Sequence, residues 1–355
     1  MSTAPATEGL AATGRLVDAQ HRSIDYLRIS VTDRCNYRCT YCVPERGLGH
    51  LEREDVLSPR ELTRLVACFV RLGVRRLRLT GGEPTVRHDL PALAASLRAL
   101  PGVEDLALST NGHRLGELAP ALRAAGVDRL NISVDSLDAE RFRRITRGGS
   151  LPRVLDGIEA ARAAGFASIK INTVAVRGFN DDEVAALCDY AWQRGLVPRF
   201  IEQMPMADGA LYVPGTFMSA REIRDALGAA HPGARVVAAA GTPAPGAGPA
   251  RYYRLDDPAS GAEDERRFGI ISAVTEHFCA TCNRVRLAAN GALHTCLGYD
   301  DATDLGGLLR ERGDDADIQA IERAVAGKRD GHTFGLVQLG RLEGGPKKAM
   351  VQIGG

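Results

Sequence analysis

The chain is 355 residues long, 45% hydrophobic and 25% charged, enough for a large core, one barrel-sized domain and an appendage. Lysine and arginine total 45 against 44 aspartates and glutamates, a formal charge of +1, so no global charge points to nucleic acid or an anionic membrane, and any anion must be met by a local cluster. No apolar run approaches the ~20 residues of a membrane span, and the first twenty residues lack the apolar centre of a secretory signal. A disordered arm over 1–22 and a cytoplasmic location are expected.

The first strand begins at Leu27. Leu27, Ile29 and Val31 point one way and Arg28, Ser30 and Thr32 the other, with the period of two that a strand requires. DRCNYRCTYC follows directly and sets Cys35, Cys39 and Cys42 in the pattern C-x3-C-x2-C. Structural zinc and simple iron-sulfur centres usually take four protein ligands. Three thiols therefore leave two readings: half of a zinc site, or a cluster with one iron open.

Ser58-Pro59-Arg60-Glu61 reads as a capping box with proline at the first helical position, continued by Leu62, Leu65, Val66 and Phe69 and stopped at Gly73. Further strand-like runs lie at 75–80, 105–110, 128–135, 168–174 and 198–204. Helical stretches such as 115–125, or 180–194 capped by Asn180, precede most of them. Six strands alternating with helices predict parallel βα units. If Leu77, Leu79, Leu130, Ile132, Ile169 and Ile171 face the helices, the other face carries Arg76, Arg78, Thr80, Asn131, Ser133, Lys170 and Asn172. A doubly wound sheet would be apolar on both faces. The expected fold is thus α/β, a partial (β/α)6 barrel two units short of closure, with a polar lumen and functional loops at the strand C-terminal ends. TGGEP (80–84) is one such loop, where glycine allows a close backbone approach to a ligand.

Beyond residue 205 the rhythm breaks. The Ala/Gly/Pro-rich stretch 228–250 reads as a surface loop between a barrel over 23–227 and an appended lobe over 251–355. In that lobe RYYRLDD and RRFGIISAV resemble strands, and 316–328 has helical periodicity. FCATCNRVRLAANGALHTC holds a second triplet, Cys279, Cys282 and Cys296. Read alone, it is a zinc knuckle completed by His277 or His294. Arg284 and Arg286 of NRVR share one face of an extended chain and form a fork for oxyanions. The remaining thiols, Cys68 and Cys188, sit singly in apolar helical patterns as inert core residues. The last residues, MVQIGG, can anchor through Met350, Val351 and Ile353, and Gly354-Gly355 can enter a channel too narrow for side chains.

The three-thiol loop after the first strand, with Tyr41 just before its last cysteine, resembles the radical S-adenosylmethionine (radical SAM) superfamily. Together with RLRLTGGEPTVR, STNG, NISVDSL, KINTV, RFIEQMP, FCATCNRVRL and the Gly-Gly end, it is similar over residues 25–355 to the GTP 3′,8-cyclases of molybdenum cofactor biosynthesis. That resemblance implies a radical SAM barrel in which Cys35, Cys39 and Cys42 hold a [4Fe-4S] cluster. S-adenosylmethionine takes its open iron and, on reduction, yields a 5′-deoxyadenosyl radical. It implies a second [4Fe-4S] cluster in the C-terminal lobe, on Cys279, Cys282 and Cys296, whose open iron meets the guanine. It further implies S-adenosylmethionine contacts at Tyr41, Gly82 (with Glu83 beside it), Ser133 and Met204. GTP contacts are implied at Arg28, Arg78, Ser109, Lys170, Arg284, Val285 and Arg286, and catalytic roles for Arg28, Gly354 and Gly355. Ser109 and Arg76 stand where the family commonly has threonine and lysine, and MADGALYVPG (206–215) departs from its pattern. The implied partners are GTP, an electron donor and the next enzyme of the pathway, with a homodimer as one assembly and with neither nucleic acid nor membrane. No G-x4-G-K-[ST] phosphate loop is present, so arginines and Lys170 must hold the triphosphate. Two rivals remain at this point: a radical enzyme acting on a peptide, and a zinc-dependent binding module without turnover.

Overall fold

The computed structural model describes residues 14–207, 211, 215–239, 248–257, 266–335 and 345–354. Six strands, each followed by helix, come first. They are β1 (Tyr26–Ser30), α1 (Pro59–Arg71), β2 (Arg76–Thr80), α2 (Leu90–Arg98), β3 (Asp105–Thr110), α3 (Leu115–Ala124), β4 (Arg129–Ser133), α4 (Ala139–Thr146), α5 (Leu151–Ala163), β5 (Ser168–Ala175), α6 (Val184–Trp192), β6 (Val197–Glu202) and α7 (Ala220–Ala230). There follow β7 (Arg235–Ala238), β8 (Arg251–Asp256), β9 (Arg267–Ile271), β10 (Arg284–Leu287), β11 (Ala292–His294), β12 (Thr303–Asp304), α8 (Leu305–Glu311) and α9 (Asp314–Ala326).

Local sequence explains these elements. The capping box at Ser58 and Glu61 is formed in both directions, and Gly73 turns the chain beyond α1 at φ +99°. Leu27, Ile29, Leu77, Leu79, Leu106, Leu108, Leu130 and Ile132 are fully buried in one core with the helices, and Cys68 and Cys188 are buried with them. The helix expected to be capped by Asn180 instead opens with a tight 3-10 turn, Asp181–Glu183. The Asn180 amide is used elsewhere: it donates to the Asp135 and Val174 carbonyls at 2.8 and 3.0 Å and accepts from the Val176 N–H at 2.8 Å. It thereby ties the chain after β4 to the end of β5.

The strands of the C-terminal segment continue the barrel's own sheet. The strands make one sheet in the order β12-β11-β10-β1-β2-β3-β4-β5-β6-β9-β8-β7. In it β10 runs parallel to β1, and β9 parallel to β6. Six consecutive strands leave unpaired N–H and C=O groups at both edges, and the C-terminal segment returns to fill both. Eight parallel strands result, flanked by antiparallel β11–β12 on one side and β8–β7 on the other. The stretch 228–250 also contains more than a loop. It holds the end of α7 and β7, whose Val236 and Val237 suit a strand paired with β8; residues 240–247 lie outside the described residues, as do 208–210 and 212–214 of the divergent MADGALYVPG segment.

The arm expected over 1–22 is folded from residue 14, and residues 1–13 lie outside the described residues. Leu16 is buried, its N–H donates to the Leu72 carbonyl at 2.9 Å, and Val17 pairs with Ser23. Arg22 is the fastening. Its Nε donates to Asp18 Oδ2 at 2.6 Å, and its terminal nitrogens donate to the carbonyls of Cys279 (2.9 Å), Asp330 (2.8 Å) and Arg329 (2.7 Å). Because Asp18 is buried, removing its partner strands a charge. Arg22→Met is expected to lower stability by about 3 kcal/mol, read from urea unfolding, whereas a loss under ~0.5 kcal/mol would mark the strap as peripheral.

Candidate active site

The first thiol loop leaves β1 and lies against the TGGEP turn after β2. Gly82 donates to the Thr32 carbonyl at 2.7 Å and Glu83 to the Arg34 carbonyl at 2.8 Å. A Cβ on Gly82 would collide with the Arg34 carbonyl, so glycine is required for this approach. Glu83 lines the cavity, but its carboxylate is already occupied: Thr85 and Thr110 hydroxyls donate to it at 2.6 and 2.7 Å and the Asn111 N–H at 2.6 Å. It braces two loops, with the Asn111 N–H on Oε2 and the two hydroxyls on Oε1.

Cys35, Cys39 and Cys42 line a cavity of about 310 Å³ together with Tyr41, Gly82, Ser133 and Met204. Burial pushes the Cys35 and Cys42 thiols up to about 11 and about 12 and raises Cys39 well above its ordinary value. The Tyr41 hydroxyl donates to Asp135 Oδ2 at 2.7 Å, and burial raises that carboxyl to about 6.

Cysteines 279, 282 and 296 line the same cavity from the opposite side of β1. Burial pushes the Cys282 thiol up, but Arg284 and Lys328 outweigh it and hold the thiol below its ordinary value. Tetrahedral zinc at Zn–S of about 2.3 Å brings its sulfurs to roughly 3.8 Å of one another. Neither triplet is drawn together to within 4.8 Å; among the described residues the group that is consists of His277, Cys279 and His332. Backbone N–H groups of Tyr37 and Gly298 already point at Cys35 and Cys296 Sγ at 3.4 and 3.5 Å, as thiolate ligands require. His294, one of the two histidines considered for a zinc knuckle, is instead on β11 with Nε2 3.3 Å from Lys348 Nζ.

Between the two triplets runs a cationic row. The parallel register places Arg286 beside Arg28 and Arg28 beside Arg78, across β10, β1 and β2. All three line the cavity with Arg284 and Ser109. Arg78 donates to the Tyr26 hydroxyl and to Ser109 Oγ. Burial, reinforced by Arg286, lowers Arg28 well below the ordinary arginine value, and burial with Arg284 lowers Arg286 to about 10. Lys170 lies beneath the wall rather than on it. Burial, then Arg199 and Arg78, brings it down to about 7. Val285 faces the other way: it is fully buried in the helix-packed core opposite Leu27, leaving only its backbone for the cavity.

The C-terminal segment closes this end of the barrel. Met350 and Val351 line the cavity, Ile353 is buried, and Arg286 donates to the Gly354 carbonyl at 2.7 Å. Gly354 has φ +68°, and a Cβ there would lie 2.6 Å from Thr80 Oγ1, so both conformation and space select glycine. Gly355 lies outside the described residues.

Residues 29–191 match the radical SAM superfamily and residues 197–334 the family described as Molybdenum Cofactor Synthesis C. The GTP 3′,8-cyclase 1 of Pseudomonas aeruginosa is 45% identical over 331 residues, 92% of this chain and 97% of that protein. The GTP 3′,8-cyclases of Pseudomonas entomophila (46%; 92% and 96% covered) and Pelotomaculum thermopropionicum (43%; 95% and 99%) match equally broadly. The chain belongs to the GTP 3′,8-cyclase family. Among solved structures, Streptococcus suis SuiB bound to its precursor peptide SuiA superposes with a TM-score of 0.58 at 12% identity, covering 86% of this chain and 67% of that one. That likeness shows the fold alone, so the rival reading of a peptide-modifying enzyme gains nothing from it.

Among the cavity residues that the sequence reading passed over are Asp135, Arg199 and His332. Carrying the alternation one strand further, to PRFIEQM, would have found Arg199, which is 3% exposed and donates to Asn172 Oδ1 at 2.9 Å. Because the Cys282 pKa is lowered while those of Cys35, Cys39 and Cys42 are raised, Cys282 is expected to alkylate before these three in cluster-free protein at pH 7.5. Iodoacetamide pulse labelling with peptide mass spectrometry checks this, and faster labelling of the first triplet would contradict it.

Proposed function

We propose that this chain converts GTP to (8S)-3′,8-cyclo-7,8-dihydroguanosine 5′-triphosphate, the first step of molybdenum cofactor biosynthesis. Kinship with the cyclases supports the reaction, and one structural observation carries its assignment to this site: both thiol triplets and the arginine row face a single cavity. Cys35, Cys39 and Cys42 hold a [4Fe-4S] cluster, with S-adenosylmethionine against Tyr41, Gly82, Ser133 and Met204. Bound there, this pair supplies the one-electron reduction and hydrogen-atom abstraction that begin the reaction. Cys279, Cys282 and Cys296 hold a second [4Fe-4S] cluster, on the guanine side.

The chain's own residues do the rest. Arg28, Arg78, Arg284 and Arg286 bind the triphosphate, Ser109 and the Val285 backbone contact the nucleotide, and Lys170 adds charge from below. Fixing ribose and base of one molecule in a closed cavity makes bond formation intramolecular. A hydrogen leaves C3′, the C3′–C8 bond forms, and one electron and one proton return to the ring, so the product has the mass of GTP. Arg28 and the Gly354-Gly355 end shape the reacting end of the cavity. The electron comes from an external one-electron donor, and the product passes to the next enzyme of the pathway. A homodimer is one assembly compatible with the site.

Anaerobic reconstitution tests this reading: about eight irons per chain, and a GTP isomer formed only with S-adenosylmethionine and reductant. Four irons would remove the second cluster; cofactor cleavage without an isomer would remove the cyclisation. Gly354→Ala is expected to keep the iron and uncoupled cofactor cleavage while lowering cyclic product at least tenfold by liquid chromatography, and product at the parent rate would take the tail out of the reaction.

Lys170 gives the site a pH dependence. With its free value at about 7, phosphate binding raises it and restores the charge, so a proton is taken up. Affinity for GTP is therefore constant below pH 7 and falls by up to tenfold per unit above it. Calorimetry at pH 8 in buffers of different ionisation enthalpy should show close to one proton taken up per GTP, and close to none in Lys170→Met.

A further inference from the structure

His332 follows α9 in a loop folded over the second thiol triplet. The chain passes so close that a Cβ on Gly331 would lie 3.3 Å from Cys279 Sγ. The His332 ring stacks on Phe334, centroids 4.2 Å apart at 28°, and one ring nitrogen of His332, one of His277 and Cys279 Sγ all lie within 4.8 Å of one another. A ring nitrogen held this close to a thiolate has two uses, as a metal ligand or as a hydrogen-bond donor.

The tautomer separates them. The Phe334 N–H donates to His332 Nδ1 at 3.4 Å, so Nδ1 carries a lone pair and, in a neutral ring, the proton sits on Nε2. His332 Nε2 is itself buried, and among the described residues it has no hydrogen-bond partner. If Nε2 bound a metal, the proton would move to Nδ1 and face the Phe334 N–H, donor against donor. If Nε2–H donates to sulfur, both nitrogens are satisfied.

We propose that His332 donates an Nε2–H···S hydrogen bond to the Cys279 sulfur of the second [4Fe-4S] cluster and thereby raises that cluster's reduction potential. The inference rests on the second-cluster reading above. Reduction adds negative charge that spreads onto the cysteine sulfurs, so a donor at one of them favours the reduced form. The loop after α9 brings Gly331 and His332 against Cys279. His332 thus acts through the ligand, as a positioning and tuning residue.

The test uses the full chain with Cys35, Cys39 and Cys42 replaced by serine, so that any cluster signal comes from the second site. His332→Phe keeps the ring stacked on Phe334 and removes the donor; His332→Gln keeps an N–H. At a fixed solution potential near the midpoint, electron paramagnetic resonance should show the reduced-to-oxidised ratio falling about tenfold in His332→Phe, equivalent to about 59 mV for one electron. In His332→Gln it should fall less than about threefold, roughly 28 mV on the same scale. An unmoved ratio in His332→Phe, or equal shifts in both variants, overturns the proposal. Absence of iron in the parent protein overturns the second-cluster reading and this inference with it. A measurement independent of variant folding uses 15N-histidine in the same parent: weak coupling between the reduced cluster and one nitrogen supports donation through hydrogen, and the strong coupling of a directly bonded nitrogen overturns it.

Discussion

Three guanidinium groups side by side across adjacent strands are the constraint around which this barrel is arranged. Neighbouring strands lie about 4.8 Å apart, and like charges directly opposite one another on a sheet are destabilising; yet Arg286, Arg28 and Arg78 occupy one register line of β10, β1 and β2. Charge is sorted along the strands. At the strand starts the cations meet acids, Arg76 with Asp25 and Arg129 with Asp105. One step further in, the bonds of Arg78 and Arg286 go to neutral oxygens of Tyr26, Ser109 and Gly354. Positive potential is therefore built up inside a chain whose total charge is +1 and is released only by an anion of matching reach. The missing phosphate loop is replaced by a sheet face.

Much of this was readable from the sequence, because period two and period 3.6 report directly on which side chains face water and which face helices. All six consecutive strands, the helix-facing leucines and the polar face with Arg28, Arg78, Ser109 and Lys170 follow from alternation. What alternation cannot report is which edge a late strand returns to. β9 and β10 look like ordinary short strands, and their parallel pairing with β6 and β1 depends on edges left open 70 and 258 positions earlier in the chain. Backbone acceptors are equally silent: Arg22 reaches the carbonyl of Cys279 across 257 positions, and no residue type at the far end announces it. Val285 illustrates what a motif leaves out. A motif shared with a family names it beside two arginines, whereas the pleat turns its side chain into the core.

The two thiol loops occupy unequal environments despite similar composition. Burial, with nearby acids and neighbouring thiols adding to it, raises all three thiols of the first, while in the second burial raises Cys279 but Arg284 and Lys328 lower Cys282. Cationic surroundings stabilise thiolate and reduced cluster alike. The first site is left to be shaped mainly by what binds its open position, and the second by fixed charges and the covering loop with His332. Arg286 joins both regimes, since it belongs to the arginine row and also holds the Gly354 carbonyl.

The order of strands in the sheet has a consequence for how the molecule is made. Chains emerge from the ribosome N-terminus first, so β1 to β6 and the first thiol loop appear while both sheet edges are still bare. β9 and β10, which cover those edges, lie after residue 266, and the segment that seals the cavity mouth is the last to be synthesised. The half-made barrel thus exposes two sticky edges and an open thiol loop for most of translation, and metal loading of Cys35, Cys39 and Cys42 can take place before the final residues arrive to shut the door behind it.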